Sequence, residues 1–553
     1  MKKTLQNLFS EKTDKYLTAF IIALELIFTV VVALTWGRSS IDETEHLHMS
    51  WLVSIGQVPY RDFFEHHNPL LWYVFAPISA LFFNNVYVYY VGHFFSLIIS
   101  IFTLIYLYKI VVRYIASPMI AVTALMLYTA CSWSGRVTLI EFRPDVLMNF
   151  CFICGLYYYM RYMEKQKVKN LIIAFTLFTL SFLFLQKIIL LLFFFGLYTL
   201  FKLYQKQIRW LDTAKALVLP FIIMTAFVGF LYYNGILETY FTLNYTLNTM
   251  LAHHFGLHQI VFRFENARLY IPMINGYNSI DFDLFTVISI ILSFTAVALL
   301  NHNADKYLRL LFFLFLSELF LRYFTFSPNH HYFSLLRMIT CILAATLLKT
   351  ISRKAQKIIL SGLIIFFIIS GITDSYNYLT NENTIKTHIK RLEFVLENSD
   401  NDDTILNGNK RNFNIYRKDA DYLGFLLNDV GYVYNQNLGN PDYDVNKIIL
   451  EKKPKIIWME NYTNTSLYEK RFKALRDFNV DLLYLWHKYP NQKYDIRDLI
   501  TNIPEFYSYT LDKDLLSRYY EPAGLEEFWI LKKHIDNPQN DDYDTTGNNN
   551  KEN

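Results

Sequence analysis

Apolar runs, each close to twenty residues long, alternate with short polar segments over most of the chain. About 20 mostly apolar residues in a helix span the hydrocarbon core of a bilayer, so these runs predict about eleven transmembrane helices. They lie at residues 17–36, 86–108, 116–134, 146–163, 169–186, 188–204, 214–233, 283–300, 307–326, 332–350 and 357–374. A shorter apolar run at 69–83 contains Pro77 and predicts a re-entrant or interfacial helix. The pattern therefore predicts an all-α polytopic membrane domain over residues 1–374.

The hydropathy pattern changes abruptly after Asp374, where Asn, Asp, Lys and Glu become frequent. Short apolar runs at Lys455–Met459 and Glu527–Leu531 predict strands, and helical spacing occurs near Tyr468–Phe478. We predict a soluble α/β domain over residues 375–535. An Asn/Asp-rich disordered tail is expected over residues 536–553.

Positively charged residues between the predicted spans determine the orientation. If the N-terminus is cytoplasmic, the inner loops contain Lys109, Arg113, Arg161, Lys165, Lys167, Lys169, Lys202, Lys206, Arg209, Lys215, Lys306, Arg309, Arg353, Lys354 and Lys357. The short outer loops contain little beyond Arg136, Arg143 and Lys187. This positive-inside distribution, with an odd number of spans, predicts an extracytoplasmic C-terminal domain. We expect a multi-pass protein of the bacterial inner membrane.

Composition agrees with a lipid environment. Hydrophobic residues make up 53% of the chain, aromatic residues 18% and charged residues 18%, whereas soluble domains contain about 25% charged residues. The net charge of only +4 gives no basic field for nucleic acid, and we expect none as a partner. The cysteines all lie in apolar stretches and are predicted to be packing residues: Cys131, Cys151, Cys154 and Cys341.

The first predicted outer loop carries most of the candidate chemistry. Asp42 and His46 are four residues apart, so they share a face if the segment is helical. The loop also offers metal ligands, namely Asp42, Glu43, His46, His48, His66 and His67. However, it has no H-E-x-x-H spacing, and the sequence leaves a divalent metal open. The same residues are also consistent with an ordinary solvated interface, and Glu45 in particular is expected to be solvated.

Further candidate residues occur outside this loop. Arg143, Pro144 and Asp145 precede the fourth span, where Pro and Asp also suit the first turn of a helix for purely structural reasons. Lys187 interrupts the apolar sequence between the fifth and sixth spans. His330 and Tyr332 open the tenth span. Ionisable residues at membrane depth are costly, so these positions are hypotheses for a functional site.

The first loop resembles a family of membrane enzymes. Its Asp42-Glu43-x-x-His46, followed by G-Q-V-P-Y-R-D-F-F-E-H-H-N-P-L over residues 56–70, is similar to the C-type glycosyltransferase superfamily. The most similar branch contains protein O-mannosyltransferases and the lipid A aminoarabinose transferase. The resemblance implies the fold of that superfamily. It also implies transfer of a sugar from a polyprenyl phosphate to an extracytoplasmic acceptor, with inversion of the anomeric centre.

The chemistry of such a reaction assigns roles to these residues. The leaving group is a phosphate that is already stable as an anion, so the reaction needs a base and cations more than a strong acid. We predict Asp42 as the base, with Glu43 or Asp145 orienting the acceptor. Substrate and phosphate contacts are predicted for Arg61, His66, His67, Arg143, Lys187, His330 and Tyr332. The aromatic-rich helices would hold the lipid tail.

Two other functions are consistent with the sequence. A transporter or flippase would also be polytopic, but it predicts paired helix breaks in two related halves, which are not visible here. A ligase or polymerase of lipid-linked glycans would use a later outer loop, such as residues 236–281 with His253, His254 and His258. The sequence leaves open whether the sugar is a hexose or a pentose, and whether the acceptor is lipid A, another glycan or a protein.

Overall fold

The structure is a computed structural model. It describes residues 11–35, 41–130, 133–254, 257–264, 267–272, 277–301, 305–324, 334–380, 385–407, 414–424, 430–440, 442–458, 513–525 and 528–533. Two compact units are present. The first contains Met1–Glu397 and Asn412–Tyr416, and the second contains Asn398–Arg411 and Arg417–Asn553.

The first unit is mainly helical, and a helix occupies every predicted span. Its helices are α1 (Glu11–Thr35), α2 (Ile41–Ser54), α3 (Leu70–Leu81), α4 (Val88–Ile110), α5 (Pro118–Ala130), α6 (Trp133–Ile140), α7 (Pro144–Lys165), α8 (Val168–Phe184), α9 (Ile189–Tyr204), α10 (Trp210–Tyr233), α11 (Leu237–Phe241), α12 (Asn248–His254), α13 (Leu284–Leu300), α14 (Lys306–Phe324), α15 (Ser334–Thr346), α16 (Arg353–Thr380) and α17 (Ile385–Glu397). The prediction of a mainly helical architecture is confirmed, but a small sheet over residues 257–283 interrupts the predicted all-α domain.

Four helical segments in the described part are long and apolar enough to cross a membrane: Val88–Ile115, Gln186–Tyr204, Trp210–Tyr233 and Lys354–Thr373. Shorter apolar helices occur at Ala19–Thr35, Leu70–Leu81, Pro118–Thr129, Val168–Phe184 and Ile288–Leu300. Large apolar side chains such as Phe193, Phe221 and Ile365 remain exposed on these helices, as lipid-facing residues do. The chain is an integral membrane protein.

Helix α7 lies at the centre of the first unit. It packs against α8 and α4, and most of its side chains are buried. Gly155 permits the close approach of α8, because a Cβ at this position would lie 2.8 Å from the Phe178 ring. Cys151 and Cys154 are buried on this helix, and Cys341 is buried on α15. Their predicted packing role is confirmed, while Cys131 lies outside the described residues.

Helix α2 is the element that the hydrophobic pattern did not predict. It follows α1, carries Asp42 and Glu43 in its first turn and packs against α3. The acidic residues favour this position because the N-terminal end of a helix is partly positive. The predicted short helix at 69–83 is α3, in which Trp72 and Phe75 are fully buried. Its interfacial position in the bilayer stays a prediction.

Two small sheets accompany the helices. Strands β1 (Leu257–Phe264), β2 (Ala267–Pro272) and β3 (Tyr277–Asp283) form one sheet in the order β2-β1-β3, with β1 antiparallel to β2 and parallel to β3. This sheet occupies the predicted outer loop at 236–281 and was not predicted.

The second unit contains a five-stranded sheet. Its strands are β4 (Thr404–Asn407), β5 (Lys418–Asp419), β6 (Ile456–Trp458), β7 (Tyr520–Pro522) and β8 (Phe528–Leu531), in the order β5-β4-β6-β8-β7. Helices α18 (Val430–Asn437), α19 (Val445–Lys452) and α20 (Lys513–Tyr519) complete it. The two strands predicted from apolar runs are therefore confirmed as β6 and β8. The predicted helix near Tyr468–Phe478 and the tail at 536–553 lie outside the described residues.

Candidate active site

The candidate site forms where several elements of the first unit begin. It combines the first turns of α2 and α7, the loop before α3, and the short 3-10 turn Gln186–Ile188 that precedes α9. Arg143 is the residue before α7, with an extended backbone (φ −140°), and Pro144 starts the helix. Proline at the first helical position needs no hydrogen-bond partner for its nitrogen, and Asp145 faces the positive end of the helix dipole. The residues that start helix α7 therefore also place the charged side chains of Arg143 and Asp145 in the site.

Two carboxylates and two cations alternate in a chain of ion pairs. Arg143 donates from Nη1 to Asp42 Oδ2, and its Nε lies 3.5 Å from Asp145 Oδ2. Lys187 donates from Nζ to Asp145 Oδ1. The side chains of Arg143 and Asp145 are 5% and 6% exposed, whereas that of Asp42 is 32% exposed. Of the two carboxylates in this ion-pair chain, Asp42 is therefore the one that a substrate can reach more easily.

The ion-pair chain sets the charge states of its members. Burial by itself would raise the pKa of Asp42, but the neighbouring Arg143 guanidinium lowers it overall. Burial acts on Asp145 in the same way, and Lys187 and Arg143 lower its pKa overall. The pKa of Arg143 is raised, because Asp42 and Asp145 outweigh the effect of burial. Asp42, Arg143 and Asp145 are therefore charged at neutral pH.

Glu43 points away from this chain and joins three helices. Its Oε1 accepts a hydrogen bond from the Phe142 backbone N–H at 2.9 Å and lies 3.0 Å from His93 Nε2 on α4. The other ring nitrogen of His93, Nδ1, donates to the Ala33 carbonyl of α1 at 2.7 Å. The pKa of Glu43 is lowered overall. Burial by itself would raise it, but His93 and the Phe142 N–H donor outweigh that effect. In the structure Glu43 is a buried anchor, and Asp42 is the accessible member of the pair.

A second cluster, formed by Glu45, Glu65, His66 and His67, lies beside the ion-pair chain. One ligand atom from each residue falls within 4.8 Å of the others. Glu65 Oε1 accepts hydrogen bonds from the backbone N–H groups of His66 (2.6 Å) and His67 (3.1 Å) and lies 2.8 Å from His67 Nδ1. Glu45 and Glu65 are buried. The expectation that Glu45 is solvated is wrong, because α3 and the loop before it cover the inner face of α2.

The pKa values of the two carboxylates in this cluster shift in opposite directions. Burial and the neighbouring charges of Glu65 and Asp42 raise the pKa of Glu45 well above its ordinary value. Burial opposes ionisation of Glu65, but His67 and His66 hold its pKa well below its ordinary value. Two adjacent buried carboxylates repel each other when both are ionised, which favours the neutral form of one of them.

This cluster meets the requirements of a cation site. Glu45 Oε1, Glu65 Oε2 and His66 Nδ1 are buried, and within the described residues none of these atoms has a hydrogen-bond partner. Unpaired buried polar atoms are uncommon in folded proteins. A set of two carboxylates and two imidazoles suits zinc and other first-row divalent ions. His46 lies outside this set because its Nδ1 accepts a hydrogen bond from Trp72 Nε1 at 3.2 Å. Burial and His67 lower the pKa of His46 to about 3, so it is neutral.

Gln186 ties the first loop to the turn that carries Lys187. Its Nε2 donates to the His66 carbonyl at 2.7 Å, and its Oε1 accepts from the Asn68 N–H at 3.2 Å. Asn68 in turn donates to the Phe182 carbonyl at 2.6 Å and accepts from the Tyr240 hydroxyl at 2.8 Å. The sequence analysis did not identify Gln186, Asn68 or Tyr240 as site residues. The only signal for them was the polar interruption Gln186-Lys187 in an apolar stretch.

The other predicted contacts differ in how the structure places them. Arg61 is exposed and pairs with its neighbour Asp62 at 2.9 Å, and no described carboxylate of the ion-pair chain contacts it. His66 and His67 belong to the Glu45–Glu65 cluster. His330 and Tyr332 lie outside the described residues. The structure therefore brings together Asp42, Arg143, Asp145 and Lys187 from three separate parts of the sequence, and leaves Arg61 at the exposed tip of the loop.

Comparisons with known proteins found a matching family model and solved structures with a similar fold. Residues 66–233 match the sequence model of the family described as dolichyl-phosphate-mannose-protein mannosyltransferase. The fold is similar to the crystal structure of ArnT from Cupriavidus metallidurans in the apo state, with a TM-score of 0.56 and 10% sequence identity over 84% of this chain and 95% of that one. The structure of ArnT from the same organism bound to undecaprenyl phosphate gives a TM-score of 0.44 and 12% identity over 69% of this chain and 72% of that one. The sequence matches no curated protein.

The chain therefore has a membrane glycosyltransferase fold. The family match and the fold confirm the resemblance inferred from the first loop, to the superfamily that contains O-mannosyltransferases and the lipid A aminoarabinose transferase.

Proposed function

We propose that this protein is an inverting glycosyltransferase that uses a sugar linked to a polyprenyl phosphate. The observation that carries the proposal is the ion-pair chain Asp42–Arg143–Asp145–Lys187, in which an accessible carboxylate adjoins two cations. This combination suits a reaction with an anionic phosphate leaving group and a hydroxyl nucleophile. The matched family is named for a dolichyl-phosphate-linked donor, which has the same chemistry.

Arg143 and Lys187 would bind the donor phosphate. Without donor both cations are neutralised by Asp42 and Asp145, so a phosphate that enters the site competes with these carboxylates. The planar guanidinium of Arg143 can contact two phosphate oxygens at once, and the Lys187 ammonium adds a point charge. As the sugar leaves, charge on the phosphate increases, and the two fixed cations stabilise it.

Asp42 would act as the general base. Its lowered pKa keeps it ionised at neutral pH, and once Arg143 engages the phosphate its carboxylate is released to meet the acceptor. The acceptor O–H bond breaks, the proton moves to Asp42, and the oxygen forms a bond to the anomeric carbon. The bond from that carbon to the phosphate oxygen breaks on the opposite face, and its electron pair leaves with the polyprenyl phosphate. Such a step inverts the anomeric centre.

We include a divalent cation at Glu45, Glu65, His66 and His67 in this proposal. The cation would neutralise the two buried carboxylates, whose charges would otherwise repel each other. It would supply a fixed positive charge that holds the His66–Asn68 segment beside the ion-pair chain. Asp42, Arg143 and Lys187 perform the steps described above without contributing to this cluster.

The site would lie on the extracytoplasmic side of a bacterial inner membrane, as the positive-inside pattern predicts. Its acceptor is a hydroxyl of lipid A, of another glycan or of a protein. Mass spectrometry of envelope lipids and glycans from cells with and without the gene identifies the acceptor and distinguishes hexose from pentose transfer. A transporter would leave these products unchanged. A glycan ligase or polymerase would change the length of polymers rather than add a single sugar.

Substitution of Asp42 tests the mechanism. Asp42→Asn keeps the size of the side chain but cannot accept the proton, so sugar transfer should fall by about 10²- to 10⁴-fold. The matched control is Asp62→Asn, which removes a carboxylate from the exposed end of the same loop and should change transfer less than about twofold. Purified proteins are compared at equal concentration with a radiolabelled polyprenyl-phosphate sugar. Near wild-type transfer by Asp42→Asn would exclude Asp42 as the base and leave Asp145 as the leading candidate.

A further inference from the structure

A basic cavity lies at the end of the first unit opposite to the candidate active site. Its volume is about 970 Å³, and it is lined by Met163, Gln166, Tyr198, Phe201, Lys202, Gln205, Lys206, Gln207, Arg209, Lys306 and Arg309. We call it the basic pocket. Five of these residues are cations, and no lining residue is acidic. Nothing in the mechanism above uses the pocket, because none of its residues contacts the ion-pair chain.

The position of the basic pocket follows from the helices that form it. Helix α9 begins beside Lys187 at the active site and ends beside Lys202 in the pocket. A helix rises 1.5 Å per residue, so these lysines are separated by about 22 Å along the axis. Helix α7 runs the same way, from Asp145 in the active site to Met163 in the pocket. The positive-inside pattern places the pocket at the cytoplasmic side.

Most of the pocket cations lack an acidic partner. Among the cations that line the pocket, and within the described residues, only Arg209 forms a salt bridge, at 2.9 Å to Asp212. Lys306 donates to the Met163 carbonyl at 2.6 Å, and Lys202 donates to Gln205 Oε1 at 3.2 Å. These are neutral acceptors, so both ammonium charges remain uncompensated. Like charges repel each other, so a cluster of cations destabilises the fold around it unless an anion binds there.

The acidic side chains near the pocket are already engaged. The carboxylate of Asp305 accepts the backbone N–H groups of Tyr307 (2.9 Å) and Leu308 (2.8 Å) at the start of α14. Asp212 accepts from the Tyr162 hydroxyl at 2.9 Å as well as from Arg209. Glu164 pairs with Arg113 at 2.9 Å. The pocket therefore has a surplus of positive charge, and its ligand should be an anion.

An apolar surface leads away from the pocket. Along α9 the exposed large side chains recur at helical spacing, at Leu190, Phe193, Leu197, Leu200, Phe201 and Tyr204. Tyr198 and Phe201 continue this surface into the pocket wall, where Lys202 lies 5.2 Å from the Tyr198 ring centre. An anion without a hydrophobic tail would not contact this apolar surface, which we call the α9 stripe. A lipid would place its headgroup in the pocket and its acyl chains along α9.

We propose that the basic pocket binds the phosphate headgroup of an anionic phospholipid from the cytoplasmic leaflet. Lys202, Lys206 and Arg309 contact the headgroup, and the α9 stripe contacts the acyl chains. Basic pockets between membrane helices are the sites at which such headgroups are recognised. Helix α9 connects the pocket to the turn that carries Lys187. A lipid bound along α9 would therefore restrict the movement of this helix at both of its ends.

Lipid binding to the full-length protein tests the proposal. Delipidated protein in detergent is titrated with fluorescent phosphatidylglycerol, with phosphatidylcholine as the neutral comparison. We expect wild-type protein to bind phosphatidylglycerol roughly tenfold more tightly than phosphatidylcholine. The double variant Lys202→Gln/Arg309→Gln should lose roughly tenfold to thirtyfold in affinity for phosphatidylglycerol. The control Lys167→Gln/Lys215→Gln has the same net charge but lies outside the pocket, and it should bind like wild type.

Two further measurements distinguish loss of lipid binding from misfolding and a lipid from a free phosphate anion. Lys206 is exposed, so Lys206→Gln alone should fold normally and still weaken phosphatidylglycerol binding about threefold to tenfold. Inorganic pyrophosphate, which lacks acyl chains, should displace the fluorescent lipid only at concentrations far above that of the lipid. Equal affinity of the pocket and control variants would overturn the proposal. Displacement by pyrophosphate at concentrations equal to the lipid would show that the ligand is a free phosphate anion instead.

Discussion

Two ion pairs of the candidate site, Asp42–Arg143 and Asp145–Lys187, join residues that are distant in the sequence. Asp42 pairs with Arg143, and Asp145 pairs with both Arg143 and Lys187. Breaking a buried pair leaves an uncompensated charge, which is more costly than the loss of an exposed pair. Arg61 illustrates the contrast, because its pair with Asp62 is exposed. The effect of a substitution in this site therefore depends on which partner remains buried.

Lys187 should contribute mainly to donor binding. Lys187→Ala removes one of two cations available to the phosphate, so we expect KM for the donor to rise roughly tenfold to a hundredfold. Lys187→Arg retains the charge and should recover much of the affinity. Lys215→Ala, an exposed lysine on α10, is the control. Steady-state kinetics at varied donor concentration check this, and a large fall in kcat at constant KM would contradict the assignment.

Glu45 should be required for cation binding. Glu45→Gln keeps the volume of the protonated side chain but is a poor ligand for a divalent ion, so bound zinc should fall from about one per chain to near zero. Glu238→Gln removes an exposed carboxylate and should leave the metal content unchanged. Inductively coupled plasma mass spectrometry of protein equilibrated with zinc gives the stoichiometry. Full occupancy in Glu45→Gln, or none in wild type, would disprove a cation site there.

At the scale of elements, the contact between α7 and α8 positions two parts of the site. Helix α7 begins at Arg143–Asp145, and α8 ends where Gln186 and Lys187 follow. The contact depends on Gly155, where a Cβ would lie 2.8 Å from the Phe178 ring and 3.2 Å from the Ala174 carbonyl oxygen. Phe178 is itself buried. Separation of these helices would therefore also separate Asp145 from Lys187.

Gly155→Ala should destabilise the protein by about 1–3 kcal/mol, because overpacking forces the helices apart. Gly196→Ala on α9 is the matched control, since no heavy atom lies within 4 Å of its added Cβ. That change should be neutral or should stabilise the helix by about 0.5–1 kcal/mol. Thermal unfolding in detergent compares the two variants. Equal stability of both would show that the close approach at Gly155 is not limiting.

At the scale of the whole molecule, the two ends of the helical unit have different chemistry. The active-site end alternates acids and cations, whereas the other end contains the basic pocket with its surplus of Lys and Arg. Lys and Arg accumulate on the cytoplasmic side of membrane proteins. From the positive-inside pattern we predict an orientation in which the active site and the chain after residue 374 face away from the cytoplasm.

Cysteine labelling checks this orientation. Asn401→Cys lies in an exposed turn of the second unit and should react with a membrane-impermeant maleimide in intact cells. Lys167→Cys, exposed between α7 and α8, should react only after the membrane is opened. The background protein carries Cys131→Ser, since Cys151, Cys154 and Cys341 are buried. Protection of Asn401→Cys in intact cells would reverse the topology.

Hydropathy alone was sufficient to predict the long apolar helices, because each span is stabilised by its own backbone hydrogen bonds and by contact with lipid. It likewise predicted strands β6 and β8, and the local rules for helix starts placed Asp145 at the beginning of α7. The first loop pointed to Asp42, and charged residues at the ends of apolar runs pointed to Arg143 and Lys187.

Only the tertiary structure decided which of these residues meet. Helix α2 is short and rich in polar residues, and the apolar pattern missed it because it is buried by other parts of the protein, including α3, rather than by lipid. Arg143 pairs with Asp42, and Gln186 donates a hydrogen bond to the His66 carbonyl, so both contacts join residues that are distant in the sequence. The burial of Glu45 likewise depends on segments that follow it in the chain. Such contacts depend on the packing of whole helices, so no local pattern of residues records them.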